Sequence, residues 1–80
     1  MHLVINDFSY KLIKTEETDS YIEYDVYRAD SLLGRIAKVG AEVYYTGRDL
    51  EGNIRGSAAT LRDTLEAMIL NMFYSLSFKG

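Results

Sequence analysis

The sequence predicts an α+β fold, an antiparallel β-meander of four to five strands packed by one C-terminal amphipathic helix. Three observations carry that prediction. Between residues 2 and 48, apolar and polar side chains alternate in short runs, the period of a half-buried strand. Those runs are separated by small or polar residues that favour turns. After residue 57 the period changes: Leu61, Leu65, Met68, Ile69, Met72 and Leu76 recur at three- and four-residue steps, with Ala58 on the same stripe.

The elements follow in order. Residues 2–14 read as one strand, with Val4, Phe8, Tyr10 and Leu12 on one parity and Leu3, Ile5 and Ile13 on the other; Asn6 interrupts the first set. "TEETDS", residues 15–20, has no apolar side chain and reads as a loop. "YIEYDVYR", residues 21–28, is the clearest strand, because tyrosine and β-branched residues suit a pleated, half-buried surface. Ile22, Tyr24 and Val26 fall on one face; Tyr21, Glu23, Asp25 and Tyr27 fall on the other. "ADS" turns the chain into a strand over residues 32–39, where Gly34 marks a bulge or a close backbone approach. Gly40 is expected to turn the chain with a positive φ. Residues 41–48 then read as a strand with Val43 and Tyr45 on one face and Tyr44 on the other, and residues 53–56 as a short returning strand. The helix is expected over about residues 58–76, capped by Ser57 or by Thr60 with Asp63 in a weakened capping box.

Length and composition bound the function. Eighty residues form one domain, and a chain of that size buries only about 60% of its unfolded surface. With no cysteine there are no disulfides and no thiolate metal sites, which fits a reducing compartment. The N-terminus lacks the pattern of a signal peptide. The longest apolar run, residues 67–70, is far shorter than the roughly 20 residues of a membrane span. A soluble, cytoplasmic protein is expected.

Chemistry is sparse. "TGRDLEGNIRGSAATLRD", residues 46–63, holds three of the six glycines and invites comparison with a phosphate-binding loop. Gly47 and Gly52 have the P-loop spacing, but Asn53 and Ile54 stand where lysine and serine or threonine would bind phosphate. The glycines are expected to serve turns, with Gly52 closing a hairpin. His2 is the only histidine, and no serine is placed to use it as a general base, so triad chemistry is not expected. Glu23 and Asp25 share a strand face, but spacing supplies no third ligand for a cation. No catalytic residue, metal or cofactor is predicted.

The seven tyrosines and the charge distribution point towards binding. Residues 1–30 carry seven carboxylates against Lys11, Lys14 and Arg28. Tyr21, Glu23, Asp25 and Tyr27, joined by Tyr44 from a neighbouring strand, form the expected surface for a partner protein, since tyrosine pairs a large ring with a polar tip. Leu70 and Tyr74 fall on the far side of the helix from its apolar stripe, with Ala67 beside them, and form the expected surface for homo-oligomer formation. A small non-enzymatic interaction module is therefore expected, an inhibitor or regulator comparable in size and acidity to those of phages. The alternative is nucleic-acid binding through Arg35, Lys38, Arg48 and Arg55. The element order over residues 21–76 resembles the sheet-plus-helix arm-binding domains of integrases, and that resemblance implies DNA contact through the strands. The net charge of −3 argues against it, because phosphate neutralisation supplies most non-specific affinity.

Overall fold

The computed structural model describes residues 1–74. The chain forms a six-stranded antiparallel meander in the order β1 (His2–Ile5), β2 (Phe8–Thr18), β3 (Tyr21–Arg28), β4 (Ser31–Val39), β5 (Tyr45–Asp49) and β6 (Ile54–Ala58). Helix α1 (Leu61–Ile69) follows and runs into a π-helical turn (Leu70–Tyr74). The sheet curves as a half-barrel, and strand makes up 57% of the described residues against 19% helix. The expected four to five strands are therefore corrected to six, and the helix is a short appendage to a mainly β structure.

The extra strand arises at Asn6 and Asp7. These two residues have φ of 51° and 70°, the left-handed backbone that both central positions of a type I′ hairpin need. The expected strand over residues 2–14 is thus a hairpin, in which Leu3 faces Tyr10 and Ile5 faces Phe8 across the ladder. Ile5, Tyr10 and Leu12 become core, whereas Val4 and Phe8 stay exposed. The interruption at Asn6 was the turn itself.

Further boundaries move for local reasons. β2 continues through Thr18, so "TEETDS" is mostly strand and only Asp19 and Ser20 turn. This end of the β2–β3 hairpin is exposed, so neither face of β2 needs apolar side chains there. Gly40 lacks the positive φ expected of it; its N–H donates to the Ser20 carbonyl at 2.7 Å. Residues 41–44 are loop, which leaves Val43 exposed and starts β5 at Tyr45. Ala58 ends β6 rather than opening the helix. Ser57 lies within that strand and donates to the Tyr45 carbonyl at 2.9 Å. Thr60 is the cap, accepting from the Asp63 N–H at 3.0 Å. The expected helix end at residue 76 lies outside the described residues.

One face of the sheet carries the core. Leu12, Tyr24, Val26 and Ile36 pack with Leu65, Met68 and Ile69 of α1. Beneath the helix, three strands present glycine instead of a side chain. Gly47 pairs with Gly56 across β5 and β6, and Gly34 stands diagonally adjacent on β4. A Cβ on Gly34 would collide with the Arg48 carbonyl oxygen and sit 2.7 Å from Met68 Cε. On Gly47 it would sit 2.9 Å from Met68 Sδ, and on Gly56 2.7 Å from the Met68 backbone nitrogen. This corrects the turn reading of the glycine-rich stretch. Only Gly52, at φ 87°, serves a turn there; Gly47 and Gly56 form a bare floor on which α1 lies.

Breaks in register interrupt the ladders near Lys14–Glu16, Val26–Tyr27 and Gly47–Arg48. Bulges of this kind bend a strand and sharpen its twist, consistent with the curvature. The hairpin joining β5 and β6 is held by Asp49, which accepts from Glu51 N–H and Asn53 N–H at 2.9 Å each and from Arg55 Nε at 2.8 Å. Arg55 holds that carboxyl below its ordinary range, with the two backbone donors adding to the effect. Arg55 also donates to Asn71 Oδ1 at 3.0 Å, tying the hairpin to the π-helical turn.

Candidate functional site

Between the register breaks, alternation sends every second side chain of a strand to the face opposite α1. There β3 contributes Tyr21 and Glu23, β4 contributes Arg35, Ala37 and Val39, and β5 contributes Thr46 and Arg48. Together with Glu42 and Tyr44 from the β4–β5 loop, and Leu50 and Ile54 at the far rim, they line a cleft of about 710 Å³. Val39, Leu50 and Ile54 are 46%, 60% and 60% exposed, so the cleft has an unburied apolar border.

The carboxylates of this face are already engaged. Glu23 Oε1 accepts from the Tyr21 hydroxyl at 2.6 Å, and Oε2 accepts from Thr15 Oγ1 at 3.2 Å. Asp25 Oδ1 accepts from Arg35 Nε at 3.0 Å, and the same nitrogen lies 3.9 Å from Glu23 Oε2. Glu42 accepts from the Tyr44 hydroxyl at 3.1 Å. Arg35 faces Arg48 directly across the β4–β5 ladder. Arg35 has its carboxylates; Arg48 is in no ion pair among the described residues. The cleft is therefore acidic along β3 with Arg48 as its uncompensated cation on β5, and both of its tyrosines, Tyr21 and Tyr44, donate to carboxylates.

The bond to Glu23, with burial second, pushes the Tyr21 hydroxyl up to about 12. The folded state holds this proton more tightly than the unfolded chain, whose tyrosines titrate near 10. The stabilisation is therefore complete below about pH 10 and is lost as pH rises from there through the folded value. An ultraviolet titration of tyrosinate is expected to show a tyrosine ionising near pH 12. In Glu23→Gln that step should move back towards about 10. An unchanged alkaline limb in the variant would show that Glu23 is not the cause.

Of the residues expected to bind a partner, Tyr21, Glu23 and Tyr44 line the cleft. Tyr44 does so from a loop and not from the neighbouring strand expected for it. Asp25 lies beside the cleft in its bond to Arg35, and Tyr27 lies further along β3 with the Lys11 ammonium 5.7 Å from its ring centroid. The four basic residues of the nucleic-acid alternative do not form one patch. Arg35 and Arg48 share the outer face, Lys38 has the inward parity of Ile36, and Arg55 is held by Asp49 and Asn71.

Leu70 and Tyr74, expected to mediate self-association, are both exposed at the end of the helical segment, 48% and 42% respectively. Phe73 beside them has the Arg28 guanidinium 5.4 Å from its ring centroid, and the same guanidinium lies 4.0 Å from the Phe8 ring centroid. His2 lies on β1, at the opposite edge of the sheet from the cleft. No helix among the described residues is long and apolar enough to cross a membrane.

Sequence reasoning missed Arg48 and Thr46 as members of a protein-binding site. Their spacing of two was visible, but their place opposite Arg35 and Ala37 depends on the β4–β5 register, which also leaves residues 41–44 outside the ladder. No protein-family model matches the chain, and no curated protein or solved structure matches it either.

Proposed function

We propose that this protein is a small non-enzymatic binding module whose outer sheet face receives a segment of another protein. The observation that carries this reading is the cleft itself: Tyr21 and Tyr44 stand among charged side chains, inside a border formed by exposed Val39, Leu50 and Ile54. Tyrosine and arginine are enriched in protein interfaces, and the exposed apolar side chains beside them add area that a partner can bury. Binding rather than catalysis is favoured because the cleft carboxylates each already hold a donor and the lone histidine lies at the far edge of the sheet. A regulator or inhibitor would need no more than such a surface.

A photo-crosslinking side chain at Ala37, in the cleft floor, is expected to capture a discrete partner in the native host. The same group at Arg62 on α1 should not. Ile54→Asp is expected to reduce capture at least about tenfold, because a charge replaces an apolar contact at the rim. Its effect on folding should stay within about 0.5 kcal/mol, since the side chain is mainly in solvent. Adducts formed only from the α1 position would overturn the cleft as the binding surface.

A further inference from the structure

We propose that Arg48 and Thr46 form a carboxylate-binding subsite in the cleft, which takes an aspartate or glutamate side chain of the partner protein. This rests on the cleft being the partner-binding surface. Arg48 faces Arg35 across the ladder, and like charges directly opposite one another repel. Arg35 is compensated by Asp25 and Glu23, whereas Arg48 has no carboxylate within ion-pair distance among the described residues. The cleft's own carboxylates are committed elsewhere: Glu23 to Tyr21 and Thr15, Glu42 to Tyr44, and Asp49 to Arg55.

Thr46 is two residues from Arg48 on β5 and lines the same cleft. Its hydroxyl makes no hydrogen bond among the described residues. Two strand positions span roughly 7 Å, a distance that the long arginine side chain can close. A guanidinium and a hydroxyl on one face offer donors to both oxygens of a carboxylate, and such charge-assisted bonds are stronger than neutral ones. A single negative charge suits the place better than a phosphate dianion, because Glu23 and Glu42 line the same cleft. The apolar rim of Val39, Leu50 and Ile54 adds that the acid arrives flanked by apolar side chains, as on a protein segment and not as a free ion.

The test follows backbone amide and arginine Nε–H signals of the whole labelled chain by nuclear magnetic resonance. Three probes are titrated separately: acetyl-Leu-Glu-Leu-amide, acetyl-Leu-Gln-Leu-amide and inorganic phosphate. The glutamate peptide is expected to move the Arg48 Nε–H and Thr46 amide signals. The glutamine peptide should bind at least about tenfold more weakly, and Arg48→Gln should weaken the glutamate peptide by a similar factor. Arg62→Gln, on α1 across the sheet, should leave binding unchanged. Equal binding of the two peptides, or no effect of Arg48→Gln, overturns the carboxylate subsite while leaving the cleft reading intact. A response to phosphate alone assigns the site to a free anion and likewise overturns the proposal. If neither peptide moves a cleft signal the subsite is wrong, and the crosslink from Ala37, which does not depend on Arg48, decides the cleft reading separately.

Discussion

Gly34→Ala is expected to destabilise the fold by at least about 3 kcal/mol, the upper end of the usual cost of overpacking a filled core. The added methyl would meet the Arg48 carbonyl oxygen on β5 and Met68 Cε above it. Met68 can change rotamer, but the carbonyl belongs to the adjacent strand and cannot withdraw without breaking the β4–β5 ladder. A small domain has only about 5–15 kcal/mol in total, so a large part of its stability is lost. Chemical denaturation followed by circular dichroism would read the change. Gly52→Ala is the comparison. Its Cβ would meet nothing within 4 Å, so only the positive φ opposes it, at roughly 1 kcal/mol. If both variants melt alike, the glycine floor is not a packing surface.

Met68→Ala is expected to cost about 2–5 kcal/mol, the range for emptying a fully buried methionine site. Met68 is fully buried, and its side chain fills the space that Gly34 and Gly47 leave open. The contact predicts a specific non-additivity. At Gly47 the nearest obstacle is Met68 Sδ, a side-chain atom and not backbone. The double variant Gly47→Ala, Met68→Ala should therefore be more stable than the sum of the two single losses, because the new methyl occupies part of the vacated space. Contacting residues usually show coupling of about 0.5–3 kcal/mol. Strict additivity in denaturant midpoints would mean that the two positions do not share a cavity.

How much of this was legible beforehand varied with the physics at each position. β3 was read with its correct bounds, because both of its faces carry side chains distinctive of a buried and a wet surface. The β1–β2 hairpin was missed because its turn is Asn6–Asp7, without the glycine that usually announces left-handed backbone. The outer half of β2 was missed because a strand projecting beyond the core has no apolar pattern to reveal it. The helix start was narrowed to two caps, and β6 settled the choice by taking Ser57 into its ladder. Glycine is ambiguous by nature: a turn and a close helix approach both demand it, and only the register distinguishes them.

Part of the site could be read as well. The alternation of β3 placed Tyr21 and Glu23 together on the outer face, where they line the cleft. It could not show that Glu23 and Asp25 are answered within the chain by Tyr21, Thr15 and Arg35, since those partners come partly from β2 and β4. Arg48 likewise gains its meaning only from what surrounds it after folding.

The bare floor beneath α1 also restricts how this protein can diverge. On β5 and its neighbours the inward positions Gly34, Gly47 and Gly56 have no room for a larger residue. The intervening outward positions Thr46, Arg48 and Ser57 are free of that limit. Substitution in this half of the molecule is thus steered onto the outer face of the sheet, while the inner face beneath the helix admits no larger side chain.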